Sequence, residues 1–358
     1  MNQKNQPAYL RLYEELRGKI LSGAWPHGTK VPSKRETAEQ AGVSVITAEH
    51  AYELLCEEGY LEARERSGYF VLYRRDGGYF TPASAVSAPL SPMPPPPREA
   101  FPFSVLAKTM RKVLQDREEA LLVKAPGEGV PALREAIARY LLRSRGLSVT
   151  PGQIFVGSGA EYLYGLIVRL LGRERTYAAE DPSYEKIAQV YQAEGVRCEL
   201  LRLGKNGILS GDLWAARASV LHVTPYHSFP SGVTADASKR REYIRWAEEP
   251  DRYLVEDDFY SEFSLSGKPT ETLFSLSGGQ KVLYVNTFSQ TIAPSMRAGY
   301  LVLPEALLPL YKDRAGFYSC PVPTFEQYVL AELLDSGSFE RHINRVRRRL
   351  RAKDTAHA

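Results

Sequence analysis

Residues 253–263 read YLVEDDFYSEF, an apolar stretch that ends in three consecutive acids. Burying a carboxylate without a partner is costly, so at least one of Glu256, Asp257 and Asp258 should face a positive group. Three further apolar stretches also predict strands, with amphipathic segments between them: 154–156, 219–223 and 282–285. This alternation predicts an α/β domain with a mainly parallel sheet and helices on both faces.

The candidates for a binding site are the residues that follow each strand, because ligands bind beyond the carboxyl ends of parallel strands. Ser158, Gly159 and Ala160 follow the first strand and would open a helix, where free N–H groups can bind an anion. Alone, such a glycine turn is more often structural than functional. Three later loops carry further candidates: the aromatic ring of Tyr184 in EDPSY, the imidazole of His227 in TPYHSFPSG and the carboxylate of Asp257 in EDDFYSEF.

The composition is that of a folded protein in aqueous solution. The chain has 358 residues, 44% hydrophobic and 25% charged, which excludes wholesale disorder and fibrous repeats. Its net charge of +4 permits a polyanionic partner without requiring one. No signal-peptide pattern or membrane-length apolar run occurs, and the three cysteines lie far apart. We therefore expect a cytoplasmic protein without membrane contact, disulfide framework or metal site.

A proline-rich segment divides the chain. Residues 76–98 predict a linker between a module at 1–75 and a module at 99–358. In the first module, apolar spacing and two capping signals predict three helices, followed by a hairpin with Gly68 at its bend. Because a tight turn joins the second and third helices, this order is typical of a winged helix-turn-helix. A purely helical dimerisation module remains the alternative.

The stretch 31–71, VPSKRETAEQAGVSVITAEHAYELLCEEGYLEARERSGYFV, resembles the winged helix-turn-helix of GntR-type transcription regulators. The resemblance implies binding of double-stranded DNA, with the third helix in the major groove. Many relatives carry Arg directly after the capping serine, where this chain has Val45. Since the module's net charge is only +1, we expect a homodimer on a promoter with two half-sites. The residues expected at the DNA are Lys34, Arg35, Ser44, Thr47, His50 and Arg66.

The second module is similar to the large domain of fold-type I aminotransferases, in the MocR-type arrangement that fuses this domain to a GntR-type DNA reader. The resemblance covers 122–349, and its motifs are GEGVPALREAIARYL, SGAEYLYGLI, EDPSY, TPYHSFPSG, VEDDFYSEF and NTFSQTIAPSMRAGYLVLP. It implies a pyridoxal 5'-phosphate pocket in which Asp257 bonds the pyridine nitrogen and Tyr184 stacks on the ring. The phosphate would be held by Ser158, Gly159, Ala160, Ser289 and Arg297. His227 and Tyr260 complete the set, although Phe259 stands where relatives have tyrosine.

One position departs from the family pattern. Relatives read Ser-Lys-Thr where this chain has Gln290, and their lysine forms the Schiff base with the cofactor. A carboxamide neither condenses with an aldehyde nor acts as a general base near neutral pH. The chain also ends soon after the helix that leads, in relatives, into a smaller subdomain with a substrate-binding arginine. We expect the basic segment 341–353 to be a solvated tail rather than a nucleic-acid contact.

The sequence is compatible with three functions. In the first, the chain is a transcription regulator whose rear module dimerises and binds pyridoxal phosphate non-covalently, or a small amino compound, without turnover. In the second, it is a working aminotransferase, which the absence of the lysine argues against. In the third, the pocket is empty and the rear module only pairs chains. The sequence alone does not separate the first from the third.

Overall fold

The computed structural model describes residues 7–58, 60–64, 67–72, 100–263 and 271–357. The chain divides into two compact units, Met1–Ser91 and Pro92–Ala358. The predicted linker at 76–98 and the predicted DNA contact Arg66 lie outside the described residues. Within the described ranges, no helix is long and apolar enough to cross a membrane.

Three helices and a hairpin make up the described part of the N-terminal unit. Their bounds are α1, Ala8–Leu21; α2, Lys34–Ala41; α3, Val45–Glu57; β1, Leu61–Arg64; and β2, Gly68–Val71, antiparallel to β1. Both predicted caps are present: Ser33 and Glu36 form a capping box at α2, and the Ser44 hydroxyl accepts the Thr47 N–H at α3. Gly42 ends α2 in the left-handed conformation, which makes the turn into α3 tight. The predicted winged helix-turn-helix order is therefore observed.

A single sheet organises the C-terminal unit. Its strands are β3, Ile154–Gly157; β4, Thr176–Asp181; β5, Arg197–Gly204; β6, Gly207–Ile208; β7, Val220–Val223; β8, Tyr253–Asp257; β9, Val282–Thr287; and β10, Gly299–Val302. They lie in the order β3-β10-β9-β8-β7-β4-β5-β6. The four pairings among β5, β4, β7, β8 and β9 are parallel, while β10 and β6 run antiparallel to their neighbours. The prediction of a mainly parallel sheet is confirmed.

Helices cover both faces of this sheet. Their bounds are α4, Phe103–Arg117; α5, Pro131–Arg145; α6, Ala160–Leu171; α7, Glu185–Ala193; α8, Ser210–Ala215; α9, Ala237–Glu248; α10, Leu273–Leu276; α11, Leu308–Arg314; α12, Thr324–Asp335; and α13, Ser338–His357. Leu254 and Tyr284 pack in one core with α5, α9, α12 and α13, whereas Val255 and Leu283 pack in a second core with α6, α7 and α11. Successive strand residues thus enter opposite cores, as the pleat requires.

The three consecutive acids at the end of β8 are buried, and each is compensated differently. Glu256 accepts hydrogen bonds from the first two backbone N–H groups of α10, both at 2.9 Å. Asp258 lies 2.7 Å from the guanidinium of Arg145 and accepts a 2.6 Å hydrogen bond from the Tyr284 hydroxyl. Asp257, between them, points to the opposite face. The prediction that at least one acid meets a positive group is confirmed by Arg145.

A further buried acid, Glu180 of β4, has no cation beside it among the described residues. Its carboxylate accepts a 2.6 Å hydrogen bond from the Ser228 hydroxyl. Burial nevertheless raises the pKa of Glu180 from its usual 4.5 to about 8, because the hydrogen bonds oppose only part of the desolvation. The folded chain therefore favours the protonated acid.

Stability should fall as the pH rises through this range. A carboxyl group with a higher pKa in the folded than in the unfolded chain costs the folded state up to about 1.4 kcal/mol per pH unit between the two values. Glu180→Gln removes this contribution, so its melting temperature should decline less steeply between pH 5 and 8 than that of the unaltered protein. Circular dichroism melts measure the profiles, with the exposed Glu248→Gln as control. Parallel profiles for Glu180→Gln and the unaltered protein would contradict the assignment.

Candidate cofactor pocket and DNA-reading helix

A cavity lies at the carboxyl ends of β7, β8 and β9, where the topology brings the candidate loops together. Its volume is about 620 Å³, including the open mouth. Six residues singled out from the sequence line it: Ala160, Tyr184, Asp257, Ser289, Gln290 and Arg297. The predicted Ser158, Gly159, His227 and Tyr260 are not among its lining residues.

Asp257, at the end of β8, lines this cavity. Its Oδ2 atom accepts a hydrogen bond from the Tyr164 hydroxyl and lies 3.4 Å from His222 Nε2. Burial and the neighbouring Asp257 charge raise the pKa of Tyr164 well above its usual value, so the phenol stays a donor. The other oxygen, Oδ1, is buried and has no hydrogen-bond partner among the described residues. Because buried carboxylate oxygens are normally paired, this atom is suited to accept an N–H from a ligand ring.

Sequence reasoning missed the residues that support Asp257. His222 lies within β7, and its Nδ1 atom is 2.7 Å from the Tyr191 hydroxyl of α7. The rings of Tyr164 and Tyr191 both pack edge-on against His222. The signal was a histidine inside the apolar run VLHV, which reads as core when only strand periodicity is considered.

The cavity wall also contains a cation, Arg297. Gly159 caps α6 with φ of 90°, and a Cβ at this position would lie 3.4 Å from the guanidinium carbon of Arg297. This approach places a positive group over the amino terminus of α6, where the helix dipole also favours an anion. The Ser289 hydroxyl lies nearby in the wall, donating to the Met296 carbonyl at 3.0 Å.

The predicted phosphate turn needs one correction. The Gly159 N–H donates to the Gly157 carbonyl at 2.9 Å, so it closes the turn instead of standing free for an anion. Ser158 is the central residue of this turn and does not line the cavity, whereas Ala160, the first residue of α6, does. The positive φ of Gly159 explains the difference, since it turns the chain sharply before the helix begins.

The residues of the aromatic wall differ from the predicted set at two positions. His227 and Tyr260 stack on each other, with centroids 4.6 Å apart and planes inclined by 17°, outside the set of residues that line the cavity. Phe229 and Phe259 line it in their place, together with Tyr184. The reason is local geometry: His227 is exposed and has a positive φ of 54°, which turns its ring away two residues before Phe229 enters the wall.

Gln290 occupies the wall beside Ser289. Its side chain is buried, with 8% exposed, and its Oε1 atom has no hydrogen-bond partner in the part of the chain that the structure describes. A carboxamide can donate or accept a hydrogen bond here but supplies neither a nucleophile nor a base. Gln290 therefore offers the pocket a group for recognition.

The N-terminal unit presents the start of α3 to solvent. Ser44 and Arg35 are exposed. The hydroxyl groups of Ser44 and Thr47 form a hydrogen bond, with their oxygens 2.8 Å apart. Val45 and Ile46, at the first two helical positions, are 47% and 66% exposed. An exposed apolar pair on the helix that would enter a major groove is suited to contact thymine methyl groups.

Two predicted DNA contacts also have partners within the protein. The Lys34 ammonium lies 2.6 Å from the Glu49 carboxylate and over the ring of Tyr69. His50 is exposed, but its ring meets the edge of Tyr9 at 5.9 Å between centroids. Both partners lie on other elements, which sequence spacing does not reveal.

Comparisons with known proteins agree with both units. Residues 98–356 match the family of aminotransferase class I and II, and residues 8–71 match the bacterial regulatory proteins of the gntR family. The probable rhizopine catabolism regulatory protein MocR of Rhizobium meliloti is 30% identical, covering 96% of this chain and 74% of that protein. The HTH-type pyridoxine biosynthesis transcriptional regulator PdxR of Corynebacterium glutamicum is also 30% identical, covering 94% and 75%.

Among solved structures, LysN, the α-aminoadipate aminotransferase from Thermus thermophilus, has a TM-score of 0.63 and 27% identity. The likeness covers 71% of this chain and 65% of LysN, so the chain spans less than two thirds of that enzyme's length. The expected fold-type I architecture and the expected GntR-type unit are both confirmed. This chain belongs to the GntR-family transcription regulators of the MocR type, which join a DNA-binding helix-turn-helix to an aminotransferase-like domain.

Proposed function

We propose that the C-terminal unit binds pyridoxal 5'-phosphate non-covalently, as the effector of a dimeric transcription regulator that performs no transamination. The observation that carries the proposal is the buried Oδ1 of Asp257, unpartnered among the described residues, which shares a cavity with Gln290. Two relatives support it: PdxR is named for pyridoxine biosynthesis, and LysN was solved with a phosphopyridoxyl amino acid.

The residues present fit this cofactor. Asp257 would accept the pyridine N–H, Tyr184 would lie against the ring, and Arg297 with the amino terminus of α6 would attract the phosphate. When bound, the cofactor supplies an electron sink through its protonated ring nitrogen. Tyr164 and His222 hold Asp257 in place and keep water from its buried side.

Turnover would require a primary amine that forms a covalent bond and then moves a proton. Gln290 provides neither function, because the lone pair of a carboxamide nitrogen is delocalised. The working aminotransferase is therefore not favoured. The regulator with an empty pocket is the competing proposal, and cofactor titration separates the two.

Purified protein should bind pyridoxal phosphate reversibly, with a change in cofactor fluorescence and a higher melting temperature. Gln290→Lys should convert this reversible binding into attachment that survives borohydride reduction and adds the cofactor's mass to the chain. Gln153→Lys, which also replaces a buried glutamine outside the cavity, is the control and should add no such mass. Absence of binding to the unaltered protein would support the empty pocket.

The N-terminal unit would bind double-stranded DNA through α2 and α3, and a homodimer would engage two half-sites. Arg35 is the exposed cation at the start of α2, where the helix dipole also favours a phosphate. Since residues 1–75 carry a net charge of only +1, each phosphate contact contributes a large share of the affinity.

Arg35→Ala should weaken binding to a promoter fragment about tenfold and reduce the slope of log affinity against log salt by about one. The cause is the loss of one cation that neutralises a phosphate and releases its counterion. Fluorescence anisotropy at several salt concentrations measures both quantities. Arg11→Ala, an equal charge loss on the exposed side of α1, should leave the affinity within about twofold; equal effects of the two variants would refute the specific contact.

Pairing of two chains would use an apolar region of the C-terminal unit. Leu122 is 87% exposed and Phe317 is 73% exposed, although both side chains are large and apolar. The two segments adjoin, since a Cβ at Gly127 would lie 2.6 Å from the Tyr318 carbonyl oxygen. Exposed apolar residues of this size on adjoining segments are typical of an interface between copies.

Leu122→Glu should raise the dimer dissociation constant by about tenfold or more, because it places a charge in a surface that pairing would desolvate. Sedimentation velocity over a concentration series measures the constant. Leu142→Glu, on the outer side of α5 and 56% exposed, is the matched control and should not change it. A monomeric unaltered protein, or equal weakening by both variants, would count against this surface.

A further inference from the structure

Glu161 stands between two cations at the rim of the cavity. Its Oε2 atom lies 2.9 Å from Arg297 Nη2, and its Oε1 atom lies 2.5 Å from Lys186 Nζ. Each carboxylate oxygen therefore holds a different cation. The residue lies in the first turn of α6, directly after Ala160, and lines the same cavity.

The place that Glu161 occupies is suited to an anion for three independent reasons. The amino terminus of α6 points at it, the Arg297 guanidinium lies on one side, and the Lys186 ammonium lies on the other. Although burial opposes ionisation, the hydrogen bonds and charges of Lys186 and Arg297 lower the pKa of Glu161. The chain thus supplies its own anion at the phosphate end of the pocket.

We infer that Glu161 competes with phosphate for Arg297 and Lys186 and so sets a low affinity of the pocket for phosphorylated ligands. The inference rests on the proposed role of the cavity. A phosphate monoester carries a charge of about −1.5 to −2, which two cations alone would balance. With the Glu161 carboxylate in place the local charge is halved, and an incoming phosphate meets a negative group within one helical turn.

The competition makes affinity for phosphate separable from affinity for the ring. The hydrogen bonds of Glu161 go to Arg297 and Lys186, whereas Asp257 accepts its hydrogen bond from Tyr164. A ligand without phosphate therefore gains nothing when Glu161 loses its charge. Glu161→Gln keeps the size and hydrogen-bonding reach of the side chain and removes only the charge.

The test compares the unaltered full chain with Glu161→Gln. Pyridoxal phosphate should bind Glu161→Gln about tenfold more tightly or better, while pyridoxal should bind both proteins equally, as measured by fluorescence titration. Inorganic phosphate should raise the melting temperature of Glu161→Gln more than that of the unaltered protein. Glu185→Gln removes an exposed carboxylate beside Lys186 and should behave like the unaltered protein in every assay.

The outcomes separate the inference from the proposed function. Equal pyridoxal phosphate affinity in both proteins, or an equal gain for pyridoxal, would overturn the competition even if the cofactor binds. If neither protein binds the cofactor but phosphate stabilises only Glu161→Gln, the competition stands and the cofactor proposal fails. If neither the cofactor nor phosphate distinguishes the two proteins, the inference is wrong.

Discussion

The alternation of side chains at the end of β8 is the constraint on which the C-terminal unit depends. Glu256 and Asp258 turn toward α10 and Arg145, and Asp257 turns toward α6. A shift of one residue would bring Asp257 to the guanidinium and two carboxylates into the cavity. The partners of Glu256 and Asp258 on one face of the sheet therefore fix the orientation of Asp257 on the other face. The Oδ1 atom of Asp257 has no hydrogen-bond partner among the described residues and is available to a ligand.

Local signals were enough to predict the helices and hairpin of the N-terminal unit and four strands of the C-terminal sheet. The capping box at Ser33 and the cap at Ser44 lie within one turn of the helices that they start, so sequence spacing identifies them. The end of β8 was placed too early, at Val255, because consecutive acids resemble a loop. Glu256 and Asp257 nevertheless lie in the strand. The acids are buried because their partners come from distant segments: Arg145, the partner of Asp258, lies more than a hundred residues earlier. Such contacts have no local signature.

In the candidate site, too, the sequence predicted some features and missed others. The rule that ligands bind beyond the carboxyl ends of parallel strands, together with the family resemblance, indicated which loops to compare. Tyr184, Asp257, Ser289 and Arg297 do line one cavity. Which side chain of a loop enters the cavity depends on backbone turns, which is why Phe229 replaces His227. Likewise, the partner of Lys34 comes from another helix. When residues are chosen by type alone, the more polar side chain is preferred. In the loop that carries His227 and Phe229, the apolar side chain lines the cavity.

Gln290 and Glu161 act in the same direction on the proposed function. An enzyme benefits from a cofactor that never leaves, and a covalent bond with a fully cationic phosphate site secures it. A regulator that reports concentration needs occupancy to follow the free ligand, which requires a dissociation constant near the working concentration. Under the proposed function, Gln290 would remove covalent retention, and the Glu161 carboxylate would offset part of the ionic attraction of Arg297 and Lys186. Asp257 and Tyr184 would then recognise the ring, so that selectivity is retained while release becomes possible.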